Sequence, residues 1–199
     1  MILFKALRKG FSQVKKPFYT PLAKLILVLN GAKYNKGMYI NGFIRVNVTR
    51  KGTLVIGENF KANSGNKHNV IGRQQKLIFW VNGSLIIGDN VGMSSSAIIC
   101  HESVTIGNNV TIGGNVVIYD TDFHSIDPII RASIDDLKSA KKKPVTIKNN
   151  AFIGAHTTIL KGVTIGENAV VGACSVVTKD IPENEIWAGN PVRFIKKIG

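Results

Sequence analysis

The sequence predicts an all-β solenoid in which the chain winds as a parallel β-helix, and two observations support that prediction. An aliphatic residue recurs every six positions through the second half of the chain. A small or β-branched residue stands four positions after each aliphatic one, as Ala151 does after Ile147. The aliphatic residues of this series are Ile147, Ile153, Ile159, Ile165, Val171 and Val177.

The period of six favours short strands over helices. Six is three strand periods of two, whereas it is not a multiple of the helical period of 3.6. Three extended segments then form a triangular coil of about 18 residues, and stacked coils pair as parallel strands about 4.8 Å apart. Glycine follows the aliphatic residue at Gly154, Gly166 and Gly172. We expect these glycines to lie in bends, in backbone conformations closed to other residues.

Weaker copies of the pattern extend the predicted β-helix domain over residues 37–198. A first copy starts at Ile56, and the upstream series is Ile87, Met93 and Ile99, then, after one extra residue, Ile106, Ile112 and Ile118. A solenoid has open ends that must be covered. Residues 186–198 are therefore predicted to be a capping segment, with a short C-terminal helix after Pro191.

Residues 1–36 are predicted to form a basic, amphipathic helical segment. Its first apolar residues recur at helical spacing and are Leu3, Leu7, Phe11 and Val14. A second helix is expected to begin at Thr20 and to end at Asn30. The segment either caps the first coil or lies on a membrane surface, and both interpretations stay open.

The charge distribution indicates an anionic partner or a solvated basic face. The chain has 199 residues and a formal net charge of +14, and its first acidic residue is Glu58. Membrane surfaces and phosphorylated substrates both fit this distribution. No nucleic-acid binding is expected, because no reading motif or interleaved aromatic residues accompany the charge. Cys100 and Cys174 form no CxxC pair, which predicts neither a disulfide framework nor a metal site and favours a cytoplasmic protein.

The repeat is interrupted after "VVIYDTDFHSIDP" (Val116–Pro128) and resumes about twenty residues later. A loop excursion is predicted at about residues 125–144. His124 stands six positions after Ile118, where the next inward aliphatic residue was due. The break therefore marks the candidate functional site.

The segment "PVTIKNNAFIGAHTTILKGVTIGENAVVGACSVVTKDIPENEIWAGNPVRFIKKI" (Pro144–Ile198) resembles the hexapeptide-repeat acyltransferases, which include galactoside, maltose and xenobiotic O-acetyltransferases. The elements "GVTIG", "SVVTKDIP" and "AGNP" carry the resemblance. The upstream "VTIGNNVTIGGNVVIYDTDFHSIDP" is most similar to members that acetylate capsular, lipopolysaccharide or other cell-surface sugars. The resemblance implies a left-handed β-helix, a homotrimer with active sites at the subunit interfaces, and acetyl-CoA as co-substrate.

Within this resemblance, His124 matches the family histidine that acts as general base. A neutral imidazole suits that role. Asp122 lies on the same side of an extended chain as His124, and we predict it as the second catalytic residue, which orients the imidazole. Asp120 or a backbone carbonyl are the alternatives, and Asp122 could instead be a turn residue that starts the loop.

The coenzyme A site is also implied by the resemblance. Its predicted residues are Phe152, Ala155, Ala173, Thr178, Lys179, Arg193 and Lys196. Main-chain groups at the two alanines would bind pantetheine amides, and the cations would meet phosphates. Phe152 replaces a tryptophan found in many members, so an N–H donor is lost. Cys174 replaces a glycine and would narrow the cofactor groove.

The acceptor site is predicted from Ser94, which matches a family acceptor position, and from Arg131, which would meet an acidic sugar. The predicted function is acetyl-CoA-dependent O-acetylation of a sugar hydroxyl, on a cell-surface polysaccharide or its precursor. The alternative is O-acetylation of a free small molecule, such as a simple sugar, an antibiotic or a serine-like acceptor. A zinc lyase would need three histidine ligands that the sequence does not supply. A non-catalytic scaffold would not need His124.

Overall fold

The computed structural model describes residues 18–65, 68–69, 71 and 75–199, and these residues form a left-handed parallel β-helix. Successive strands pass to the next of three sheets, so each sheet takes one strand from every coil. Sheet 1 contains β1 Lys33–Tyr34, β4 Thr53–Ile56, β7 Ser84–Ile87, β10 Ser103–Ile106, β13 Val145–Ile147 and β16 Thr164–Ile165. Sheet 2 contains β2 Tyr39–Asn41, β5 Lys61–Asn63, β8 Gly92–Ser94, β11 Thr111–Gly114, β14 Phe152–Ile153, β17 Val170–Val171, β19 Glu185–Ala188 and β20 Arg193–Lys197. Sheet 3 contains β3 Ile44–Val48, β6 Leu77–Val81, β9 Ala97–Cys100, β12 Val117–Tyr119, β15 Thr158–Ile159 and β18 Val176–Val177.

The predicted aliphatic series forms the core of the β-helix. All six residues from Ile147 to Val177 in that series are buried. Ile99, however, points outward, and the prediction for it is wrong because Ile98 is the fully buried residue that aligns with Phe79 and Ile118. The pairing of β8 with β11 shifts by one residue between Ile112 and Gly114, so the spacing along this coil departs from six.

Asparagine, not glycine, takes the left-handed backbone conformation where sheet 1 turns into sheet 2, which we call the first corner. The corner residues with positive φ are Asn59, Asn90, Asn109, Asn150, Asn168 and Asn184. Their side chains hydrogen-bond from coil to coil at 2.8–3.2 Å and form an asparagine ladder. The predicted role of glycine in these bends is therefore wrong. A Cβ on Gly154 would lie 2.5 Å from the N atom of Ala173, so glycine is needed where coils approach closely.

Helix α1 (residues 18–29) covers the N-terminal coil. Ala23 and Leu27 are buried against the core, and Gly31 ends the helix with φ +71°. The predicted start at Thr20 is wrong, because the chain is already helical there and the Thr20 hydroxyl exchanges two 3.0 Å hydrogen bonds with the main chain of Ile40. The helix predicted around residues 3–14 lies outside the described residues. β1 already belongs to sheet 1, so the β-helix begins before residue 37.

The predicted C-terminal helix is wrong, because residues 193–197 form strand β20. β20 pairs in antiparallel fashion with β19, and the rings of Trp187 and Phe194 meet edge to face at 6.1 Å. The last coil would otherwise leave an open sheet edge, which an antiparallel strand covers. No helix among the described residues is long and apolar enough to cross a membrane.

The loop excursion leaves the β-helix after β12 and carries two short helices, α2 Pro128–Arg131 and α3 Asp136–Ser139. Its two ends form an antiparallel neck, with a bridge between Thr121 and Lys142. In this neck the Asp122 N–H donates to the Lys141 carbonyl at 3.0 Å, and the Lys143 N–H donates to the Asp120 carbonyl at 2.9 Å. The excursion thus starts slightly before the predicted position.

Candidate active site

A tight turn at Phe123 directs His124 away from the β-helix. The His124 N–H donates to the Asp122 carbonyl at 2.7 Å, and Phe123 has φ +64°, which defines a three-residue γ-turn. This conformation is strained for a residue with a side chain. The Phe123 ring meets Tyr119 at 5.1 Å and His101 at 6.1 Å, and these edge-to-face contacts hold the turn.

The His124 imidazole contacts a carboxylate from the excursion. Its Nδ1 lies 2.6 Å from Oδ2 of Asp136, the first residue of α3. Oδ1 of the same carboxylate accepts the Ser125 N–H at 2.7 Å. The hydrogen bonds from His124 and Ser125 lower the pKa of Asp136, so this carboxyl group is an anion. The His124 side chain is 61% exposed, whereas that of Asp136 is only 14% exposed.

The prediction that Asp122 orients His124 is wrong. The Asp122 carboxylate instead pairs with the Lys161 ammonium at 2.6 Å, and both side chains are about three-quarters buried. Lys161 belongs to the next coil, directly beneath the neck. The pair therefore fastens the start of the excursion to the β-helix.

The alternative Asp120 does not reach His124 either. Asp120 is fully buried, and its two carboxylate oxygens accept the N–H groups of His101 and Glu102 at 2.7 Å each. It holds the turn of the preceding coil. Burial and the negative charge of Asp120 raise the pKa of Cys100 to about 12, so this thiol is unreactive at neutral pH.

Arg131 stabilises the excursion. Its guanidinium donates to the carbonyls of Ser125 at 3.0 Å and Ile126 at 3.3 Å. Asp127 caps α2 by accepting the Ile129 N–H at 2.8 Å. Arg131 stays exposed at the surface, and its role as an acceptor ligand stays a prediction.

The predicted cofactor residues fall at two corners of the β-helix. Ala155 and Ala173 lie where sheet 2 turns into sheet 3, the second corner, and neither of their N–H groups finds an acceptor among the described residues. Thr178 and Lys179 lie where sheet 3 turns into sheet 1, the third corner, which also carries the neck of the excursion. The Lys179 ammonium lies 4.9 Å from the centroid of the Trp187 ring.

The remaining predicted residues lie on sheet 2. The side chain of Phe152 is 46% exposed, and Arg193 and Lys196 are exposed on β20. Ser94 lines a groove of about 360 Å³ on the outer face of the sheet, together with Tyr39 and Lys61. A single chain thus does not bring the groove, the second corner and His124 together.

Asp136, Lys161 and Phe123 were not predicted from the sequence. Asp136 is twelve positions from His124 across an irregular loop, where no periodicity reports proximity. The adjacent Asp135 has the same residue type and carries no distinguishing signal. No cluster of three potential metal ligands occurs among residues 18–65, 68–69, 71 and 75–199.

Comparisons with known proteins agree with the geometry. Residues 144–179 match the family described as bacterial transferase hexapeptide (six repeats), and residues 84–120 match the hexapeptide repeat of succinyl-transferase. The sequence is 34% identical over 155 residues to WbbJ of Escherichia coli (strain K12), named for lipopolysaccharide biosynthesis O-acetyl transfer, and the match covers 75% of this chain and 74% of WbbJ. The chain belongs to the hexapeptide-repeat acyltransferases.

Solved structures share the fold. A maltose O-acetyltransferase from Clostridium difficile 630 is 31% identical, with a TM-score of 0.57 over 98% of this chain and 84% of that one. The Bacillus cereus N-acyltransferase AntD, in complex with dTDP and coenzyme A, has a TM-score of 0.63 over 89% of each chain. At 22% identity, the likeness to AntD concerns the fold alone.

Proposed function

We propose that this protein is an acetyl-CoA-dependent O-acetyltransferase that acts on a sugar hydroxyl, with His124 as general base. The observation that carries the proposal is the exposed imidazole of His124, held by a strained turn and a carboxylate at the interruption of the repeat. Strained backbone and a fixed imidazole are typical of catalytic sites. The chain also belongs to a family of acyltransferases.

In the proposed reaction, His124 Nε2 accepts the proton of the acceptor hydroxyl as its oxygen attacks the thioester carbonyl. The C–S bond then breaks and the sulfur leaves as a thiolate. The imidazolium returns the proton to that sulfur, so the products are the O-acetyl sugar and coenzyme A thiol. His124 therefore ends the cycle neutral and ready for another turnover.

The second corner fits a pantetheine arm. The unpaired N–H groups of Ala155 and Ala173 can donate to its amide carbonyls, and Ala173 and Cys174 are exposed beside them. Arg193 and Lys196 supply cations for the phosphates near the C-terminal end. Acetyl-CoA supplies an activated acyl group, which is the chemistry that the histidine by itself lacks.

A homotrimer would complete the site. His124 extends from the third corner of one chain, whereas the unpaired N–H groups line the second corner. A second copy that presents its second corner to His124 would bring base and donor together. Three-fold closure repeats this contact and gives three equivalent sites.

The acceptor is proposed to be a cell-surface glycan or its precursor. WbbJ is named for lipopolysaccharide biosynthesis, and the maltose enzyme also acts on a sugar. The groove beside Ser94 offers a ring, Tyr39, and a cation, Lys61, for a sugar that carries acidic groups.

The experiment is to measure release of coenzyme A thiol from acetyl-CoA against matched panels. One panel contains nucleotide sugars and oligosaccharides, and the other contains free monosaccharides, an aminoglycoside and serine. Transfer to a glycan hydroxyl, located by mass spectrometry and NMR, is the expected result. Faster transfer to the second panel would favour a small-molecule acceptor, and absence of transfer to both would contradict the proposal.

Peripheral membrane contact by the N-terminal segment belongs to the same proposal. Four apolar side chains of α1 are more than half exposed: Phe18, Leu25, Val28 and Leu29. The sequence has no acidic residue before Glu58, which gives this end a surplus of cations. We expect sedimentation with phosphatidylglycerol vesicles but not with phosphatidylcholine vesicles. Replacing Leu25 and Leu29 by serine should abolish it, whereas Ile134→Ser, at a 93% exposed site on the excursion, should not. Equal binding by both variants would refute the contact.

A further inference from the structure

We infer that Asp136 is the positioning residue of the active site, and that it fixes the ring orientation and tautomer of His124. This inference rests on the proposed function, in which His124 is the base. The carboxylate spans two consecutive residues, with Oδ2 at 2.6 Å from His124 Nδ1 and Oδ1 at 2.7 Å from the Ser125 nitrogen. Because the Ser125 main chain holds one oxygen, the other has a defined direction toward the ring.

The charge of Asp136 determines which imidazole nitrogen can act. A carboxylate is only an acceptor, so His124 Nδ1 must carry the proton of this hydrogen bond. Nε2 then keeps its lone pair and faces away from the excursion, where an acceptor hydroxyl can reach it. Without the carboxylate, an exposed imidazole is free to rotate and to place its proton on Nε2, which removes the basic lone pair.

Among the described residues, the other nearby carboxylates are committed elsewhere. Asp122 is paired with Lys161 at 2.6 Å, and Asp120 binds two main-chain N–H groups. Asp135 is 60% exposed, and its carboxylate lies 3.5 Å from Lys138. Asp135 therefore provides a matched control, with the same residue type, the same loop and no contact with His124.

The position of Asp136 couples the base to the excursion. The excursion is held by its neck, by the Asp122–Lys161 pair and by Arg131, which donates to the Ser125 carbonyl at 3.0 Å. Ser125 is thus bound on its N–H side by Asp136 and on its carbonyl side by Arg131. The loop that would line the acceptor site also sets the direction of the base.

The test compares Asp136→Asn, Asp136→Ala and Asp135→Asn in the full chain. The asparagine variant at 136 keeps the size of the side chain and an acceptor for Ser125, but removes the charge from His124. We expect kcat to fall about 10- to 100-fold in both Asp136 variants, as is usual when a histidine loses its orienting partner, with little change in KM for acetyl-CoA. Asp135→Asn should retain the wild-type kcat.

A second readout separates positioning from loop stability. In ¹⁵N-histidine-labelled protein, the His124 nitrogen shifts should report a proton on Nδ1 in the wild type and on Nε2 in Asp136→Ala. An unchanged tautomer in Asp136→Ala, or a wild-type kcat in Asp136→Asn, would overturn the inference. The tautomer is measured without substrate. If the wild type transfers no acetyl group, the proposed function fails, while the shifts still decide whether Asp136 fixes the ring.

Discussion

Replacing Asn109 by alanine should destabilise the β-helix through the asparagine ladder. Asn109 has φ +58°, accepts a hydrogen bond from Asn90 at 3.0 Å and donates one to Asn150 at 3.2 Å. Two exposed amide hydrogen bonds contribute about 1 kcal/mol together, at the low end of the usual range. A left-handed backbone adds about 1–2 kcal/mol for a residue with a Cβ that cannot bond locally. The expected loss in the free energy of unfolding is about 2–3 kcal/mol.

Glycine at the same position separates the two contributions. Asn109→Gly loses both side-chain hydrogen bonds but tolerates the positive φ, although it also gains about 0.5–1 kcal/mol of unfolded-chain entropy. We therefore expect a loss of about 1.5–2 kcal/mol, smaller than the loss for alanine. Lys148→Ala, at an exposed site outside the ladder, should change stability by less than about 0.5 kcal/mol.

The assay is urea unfolding followed by circular dichroism at one protein concentration, because an oligomer links stability to concentration. The reasoning is refuted if alanine at position 109 costs no more than glycine, since the backbone conformation would then be irrelevant. It is also refuted if Asn109→Ala matches Lys148→Ala, since the ladder would then contribute nothing.

Three further predictions follow from the geometry. Phe123→Ala should lower kcat about 100-fold with little change in thermal stability, because the ring clamps that aim His124 are lost; equal activity would contradict this. Gly154→Val should cost about 3 kcal/mol in urea unfolding, because its Cβ would lie 2.5 Å from the Ala173 nitrogen, whereas a fully stable variant would refute the close approach. At about pH 8, a thiol reagent should label Cys174 but not Cys100, whose pKa is raised to about 12 by burial, and coenzyme A should slow the labelling; rapid labelling of Cys100, or no protection of Cys174, would contradict the account.

The repeat made the scaffold predictable because burial itself is periodic. Every inward residue from Ile147 to Val177 obeys the same spacing, and each sits in an equivalent layer of the core. The corners follow local backbone chemistry instead, so the positive φ fell on asparagines such as Asn150 and not on the glycines. The C-terminal segment was misassigned because the need to pair the open edge of β19 overrides local helix propensity.

The site was predictable only in part. His124 could be located, because the interruption of the repeat and the family resemblance both point to it. Its partner could not, because Asp122 and Asp136 differ in tertiary contacts that no sequence pattern reports. Asp122 meets Lys161 from the next coil, and this contact depends on how the neck closes.

The measurement that tests the central claim most directly is acetyl transfer by His124→Ala, with coenzyme A affinity measured on the same preparation. The account predicts that kcat falls by at least about 100-fold, because the hydroxyl loses its base. Coenzyme A should bind as in the wild type, because its proposed contacts lie at Ala155 and Ala173 on the second corner. A variant that retains the wild-type kcat would contradict the assignment of His124 as the general base.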